Sequence, residues 1–175
     1  MKGTERLSAV AVSTPAMARA LPQLPMRQTV LVRLLRITVA GMSDYFEPLF
    51  RGLDLTEHAF HVLCLLMPAE EGCASPSELS ELIGTSRANM TRILDQLAAD
   101  ELVSRRAARR DARRQVIGIT PKGRQVCREA APRVLVPLEA AFSQLDAEEQ
   151  ATLEALLRKV IVSLDKPSVA LRSAA

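Results

Sequence analysis

Two capped segments separated by a single glycine, SPSELSELIG and TSRANMTRILDQLAADELV, constrain this chain more than any other feature. Ser75 is placed as an N-cap, Pro76 occupies the first helical position and Glu78 follows three residues after the cap. With Gly84 just past the end, these signals predict a helix of about two turns. Thr85 or Ser86 caps the next helix, which sets Met90, Ile93, Leu94 and Leu97 along one side. Short helices joined by a tight glycine turn have the spacing of a helix-turn-helix, whose second helix is free to enter a major groove. The side opposite the apolar stripe carries Ala88, Asn89, Arg92, Asp95 and Gln96, with Ser86 and Arg87 at its start. Arg, Asn and Gln are the side chains whose forked donors and acceptors match guanine and adenine edges.

The residues that follow give this helix a companion. LVSRR is extended and half apolar, QVIGIT is β-branched and alternating, and a charged segment lies between them, which predicts a β-hairpin. RRAARRDARRQ holds six arginines and one aspartate, six minus one or +5, in a chain whose net charge is only +3. Charge this concentrated points to a specific anionic partner rather than to loose affinity for anions. A helix-turn-helix followed by such a hairpin is a winged helix. Its tip can carry Arg109, Arg110, Arg113 and Arg114 to phosphates and into a narrow minor groove. Asp111 is expected to pair with a neighbouring arginine and hold the tip in one conformation.

The rest of the chain is helical in pattern. Only 3% of its 175 residues are aromatic and tryptophan is absent, so the core has to be built from Leu, Val, Ile, Ala and Met. Residues 1–25 contain three prolines and no sustained period, and are read as a flexible arm or irregular cap. Residues 26–54 form a long amphipathic helix, 55–120 the winged helix-turn-helix with a preceding helix from about Thr56 to Met67, and 121–165 the closing helices before a tail at 166–175. Pro121 opens one of these helices, which reaches Pro132 and Pro137. Asp146, with Glu149 three residues on, starts the last. Leu153, Leu156, Leu157, Val160, Ile161 and Leu164 are too many apolar residues for a solvated helix. A second subunit packing on them and on the face from Val30 to Leu49 is the economical partner.

In fold class the chain is therefore all-α with a small β-hairpin wing. No apolar run approaches the roughly 18 residues of a membrane span, and the serine-broken LSAVAV does not suit a signal peptide, so no membrane partner and a cytoplasmic location are expected. Cys64, Cys73 and Cys127 are an odd number at scattered spacings, not a disulfide framework.

The stretch from SPSELSELIG through RRDARRQVIGITPKG resembles the DNA-binding core of the MarR family of bacterial regulators. The D-x-R of the wing, Asp111 and Arg113, and the ITPKG that follows carry the likeness most specifically. PSELS, TSRANMTRI and the closing LLRKVIVSLD are similar to the EmrR (MprA) branch of multidrug-efflux repressors. The resemblance covers about Met26 to Leu164. It implies a homodimer with interlocked terminal helices, a pseudo-palindromic double-stranded DNA operator, and an apolar cavity where small hydrophobic or phenolic effectors relieve repression. Carried over by position, Arg87, Ala88 and Asn89 face base edges and Arg113 enters the minor groove, with Ser86 and Arg92 as further contacts. Tyr45, Phe46, Phe60 and Met67 are the candidate pocket lining.

Other readings stay open beside this one. His58, His61 and Cys64 recur at three-residue spacing on one helix and offer donors of the type zinc takes, although no carboxylate accompanies them. Cys73, in the loop EEGCAS, is the most exposed thiol and the natural place for a redox sensor. A winged helix can also serve as a protein-interaction module with its basic wing on an acidic surface. The chain has no G-x-S-x-G, no phosphate-cradling glycine loop and no H-E-x-x-H, which argues against an enzyme, and no cofactor is expected.

Overall fold

The computed structural model describes residues 3–68, 74–108 and 111–165, without the side chains of residues 108 and 111–114. It divides into two compact units, the first ending at Ala130. In chain order the elements are α1 (Gly3–Ala20), α2 (Met26–Arg51), α3 (Glu57–Leu66), α4 (Pro76–Ile83), α5 (Arg87–Ala99), β1 (Val103–Ala108), β2 (Asp111–Ile119), α6 (Pro121–Ala141) and α7 (Ala147–Leu164).

The start and stop signals act as their chemistry dictates. Ser75 Oγ accepts from the Glu78 backbone N–H at 3.2 Å while the Ser75 N–H donates to the Glu78 carboxylate at 2.7 Å, closing a capping box. Gly84 ends α4 with φ of +72°, a left-handed conformation that a residue with a Cβ adopts only under strain. Ser86 caps α5 through the Asn89 N–H, Thr56 caps α3 through the Ala59 N–H, and Asp146 forms a second capping box with Glu149 at the start of α7.

The core of the first unit sits where α3, α4, α5 and the hairpin meet. Val62, Leu63 and Leu66 of α3, Leu79 of α4, Met90, Leu94 and Leu97 of α5, and Ile117 of β2 are all fully buried. Each such side chain contributes on the order of 1.5–3 kcal/mol on removal from water. β1 and β2 are antiparallel with Val103 opposite Ile119 and Ala107 opposite Gln115, and the register shifts between Ala107 and Ala108. A further bridge joins Ala74 to Ile117: each donates its N–H to the other's carbonyl, at 3.2 and 2.9 Å.

The amino-terminal segment differs from the expected arm. Gly3–Ala20 is a helix despite Pro15, and it packs on α2 through buried Val10. Arg6 is ion-paired with Asp44 at 3.0 Å, and Arg33 donates to Ser13 Oγ at 2.7 Å. Of the three prolines read as breakers, Pro22 and Pro25 do lie between helices, while Pro15 is accommodated within one. α2 leaves Leu31, Val32, Leu35 and Val39 exposed. In the second unit α7 buries none of its residues, so Leu156, Val160, Ile161 and Leu164 are all open.

Candidate nucleic-acid interface

The exposed side of α5 presents Ser86, Arg87, Ala88 and Arg92 to solvent, with Asn89 half-buried among them. These are the residues the sequence proposes as DNA contacts of this helix, and the structure brings them onto one surface. A hydrogen-bond relay orders two of them: Asn89 Nδ2 donates to Thr85 Oγ1 at 2.8 Å, and Arg92 Nη2 donates to Asn89 Oδ1 at 3.0 Å. The relay fixes the side-chain angles of Asn89 and leaves further guanidinium donors on Arg92. Less rotamer freedom then remains to be lost when a partner is engaged.

An ion pair ties the wing to this helix, and further bonds brace its strands and base. Arg105 of β1 forms an ion pair with Asp95, which the sequence had placed on the exposed face of α5. Arg106 turns its Nε toward Ser104 Oγ at 3.4 Å, and the Ala74–Ile117 bridge fastens the start of α4 to β2. At the base of the wing Thr120 Oγ1 donates to the Glu101 carbonyl at 2.7 Å and accepts the Gly123 N–H at 3.0 Å. Lys122 Nζ reaches the Asp100 carbonyl at 2.8 Å. Gly123 itself sits so close to the strand that a Cβ there would lie 2.1 Å from the Leu102 carbonyl oxygen.

Of the five wing-tip residues, Arg109 and Arg110 lie outside the described residues, as does Cys73. Asp111, Arg113 and Arg114 have their backbone in β2, with side chains outside the description, so the expected pairing of Asp111 falls there too. Two recesses adjoin the exposed face of α5. One of about 320 Å³ joins Ser77 of α4, Arg87 and Gln115 of β2. The other, about 400 Å³, lies where the end of α2, the start of α3 and α5 meet, with Arg51, Asp54, Thr56, Arg92, Gln96 and Asp100 on its rim. Neither Ser77 nor Gln115 carries a local signal that would have marked it as a neighbour of Arg87.

The candidate pocket residues behave unequally. Phe46 and Phe60 are buried and linked through Phe50, whose ring lies 6.3 Å from Phe46 and 5.4 Å from Phe60. Tyr45 stands edge-on to Phe46 at 4.9 Å and is about half exposed. Met67 lies about two turns beyond Phe60, and its carbonyl accepts from Arg124 at 2.8 Å. His58, His61 and Cys64 are not assembled into a metal cluster: among the described residues no group of three His, Cys, Asp or Glu side chains converges. Nor is any described helix long and apolar enough to cross a membrane.

A capped two-helix reader bonded to an antiparallel wing defines a winged helix-turn-helix DNA-binding protein. The chain belongs to the MarR family: the pattern of that family matches residues 55–114. The transcriptional repressor MprA of Escherichia coli (strain K12) is 30% identical over 142 residues, covering 81% of this chain and 81% of that protein. Among solved structures, a cysteine-to-serine variant of Escherichia coli MarR in complex with operator DNA matches with a TM-score of 0.67 and 27% identity, over 82% of this chain and 96% of that one. Bordetella bronchiseptica BpsR, whose DNA binding is regulated by 6-hydroxynicotinic acid, matches with a TM-score of 0.66 and 25% identity, over 73% and 89%. The protein is thus a transcriptional regulator and not an enzyme.

Proposed function

We propose that this protein is a cytoplasmic, homodimeric repressor that binds a pseudo-palindromic operator, controls a multidrug-efflux operon, and is released by a small hydrophobic or phenolic effector. The observation that carries the DNA-binding part is the ordered Asn89–Arg92 relay on an exposed helix face, set beside a wing anchored through Arg105. Arg87, Ala88 and Asn89 read bases in the major groove, with Ser86 and Arg92 contacting phosphate or base. Arg109, Arg110, Arg113 and Arg114 engage phosphates and the minor groove, with Asp111 steadying the tip. Ser77 and Gln115, beside Arg87, add polar groups suited to a backbone phosphate.

The open apolar faces of α2 and α7 support the homodimer, since exposed leucine and isoleucine rows of this extent mark an interaction surface. A two-fold dimer would align two copies of α5 on one side of a duplex. For the effector, the aromatic run of Tyr45, Phe46 and Phe60, with Met67 just past the end of α3, supplies an apolar wall. The likeness to a regulator controlled by an aromatic acid favours that ligand class. The likeness to MprA supports the efflux target.

The test is fluorescence anisotropy on duplex DNA from upstream of the protein's own gene against a scrambled duplex, at physiological salt. A preference of about a thousandfold or more is expected for a specific regulator. If a dimer neutralises about eight phosphates, affinity should fall with salt at a log–log slope of about −7. Equal weak binding to both duplexes would overturn the reading in favour of a protein-interaction module. Operator complexes left intact by a panel of apolar weak acids would remove the effector.

A further inference from the structure

Two thiols that the DNA-binding role does not use meet between α3 and α6. Cys64 Sγ and Cys127 Sγ are 3.7 Å apart, although 63 residues separate them in the chain. Both are free thiols, Cys127 buried and Cys64 half-buried with a side open to solvent. Their helices are fastened just beside them, because Arg124 Nη1, one turn before Cys127, donates to the Met67 carbonyl at the end of α3. The pair is thus held by the fold rather than brought together by chance rotation of two surface side chains.

The spacing and the donor count together select a chemistry. Two sulfurs bonded at about 2.3 Å to one centre with tetrahedral angles lie about 3.8 Å apart, whereas a linear two-coordinate ion needs about 4.6 Å. The 3.7 Å separation fits the bent arrangement. Among the described residues no third His, Cys, Asp or Glu joins the pair, so a tetrahedral structural metal lacks the four protein ligands it takes. A bent, thiophilic centre that brings its own third substituent is what remains. We propose that Cys64 and Cys127 form a paired-thiol site for trivalent organoarsenicals, with one arsenic atom bridging the two sulfurs.

The reaction suits thiols in this setting. Burial, and then the neighbouring Cys127, push the Cys64 thiol up to about 12, so it stays protonated at neutral pH and is a weak nucleophile toward alkylating agents. Condensation with an arsenoxide consumes neutral thiols: two As–S bonds form, two S–H bonds and the arsenic–oxygen double bond break, and both protons leave with the oxygen as water. Arsenic stays trivalent and nothing is oxidised or reduced. A disulfide would require the sulfurs to close to about 2.05 Å, with movement of the helices or their side chains. The arsenic bridge spans the gap as it stands.

Phenylarsine oxide and intact-mass spectrometry test this on the full chain carrying Cys73→Ser, in a phosphine reductant. One phenylarsenic group per chain is expected, with loss of one water. It should survive excess mercaptoethanol, be removed by dithiothreitol, and map to proteolytic fragments containing Cys64 and Cys127 joined to each other. Cys64→Ser and Cys127→Ser in the same background should each abolish retention against the monothiol. Because Cys127 is buried, Cys127→Ala is run alongside with circular dichroism, and the joined fragments report on the pair with both thiols intact. No retained adduct on the Cys73→Ser chain, or retention by a folded chain lacking either sulfur, overturns the proposal. The outcome does not depend on whether the protein binds DNA.

Discussion

Asp95 of α5 is ion-paired with Arg105 of β1, so the proposed recognition helix and the strand that leads to the wing tip share one electrostatic fastening. Both partners are partly exposed, and such pairs contribute at most about 1 kcal/mol to stability. Their effect should instead appear in binding. Asp95→Ala is expected to leave the urea midpoint nearly unchanged while weakening operator affinity severalfold. A double-mutant cycle with Arg105→Ala, read by anisotropy, should show coupling between the two positions.

Base reading and phosphate attraction separate by substitution. Asn89→Ala and Arg87→Ala should each cost about 1–3 kcal/mol on the operator with little change on a scrambled duplex. Arg113→Ala should weaken both duplexes alike and make the salt slope shallower by about one. Anisotropy titrations at several salt concentrations distinguish the two patterns.

Glycine at two positions is set by backbone geometry rather than by flexibility. Gly123→Ala places a Cβ 2.1 Å from the Leu102 carbonyl, a backbone atom that cannot rotate away. Overpacking of this kind costs about 1–3 kcal/mol. Gly84→Ala meets no neighbour but must hold a φ of +72°, a strain of about 1–2 kcal/mol. Both losses should appear in urea denaturation.

The Cys64 thiol gives stability a pH dependence. Its value is raised from 9.0 to about 12 in the folded chain, so below pH 9 both folded and unfolded states hold the proton. Between those values the unfolded chain ionises first, and stability contributed by the protonated thiol is lost as pH rises through the window. The urea midpoint of the parent should therefore fall more steeply from pH 9 upward than that of Cys64→Ser.

Subunit assembly has its own reporter in α7. Ile161→Glu puts a charge on an apolar row that stands exposed on α7, so helicity should persist. Sedimentation should then shift toward the monomer, and operator affinity should fall with it.

Much of the winged helix could be read in advance because its signals are local. Ser75, Glu78, Gly84 and Ser86 each act on backbone groups within a few residues, and α4 and α5 lie where those signals put them. What escaped was either long-range or overridden. The meeting of Cys64 with Cys127, the seat of Gly123 against Leu102 and the pairing of Asp95 with Arg105 depend on how distant segments pack, which no spacing encodes. In α1 the breaker reading of Pro15 lost to tertiary anchoring, because buried Val10 and the Arg6–Asp44 and Arg33–Ser13 contacts hold the helix on α2. Phe46 and Phe60 could be picked out as apolar and aromatic, but the side each takes with Phe50 is decided by the crossing of α2 and α3.

The two hydrogen bonds between Ala74 and Ile117 close the chain from the threshold of α4 to the return strand of the wing into a clasped loop. The return strand of the wing and the threshold of α4 are thereby joined a second time, across the fold as well as along the chain, and a shift of one is passed to the other through these two bonds.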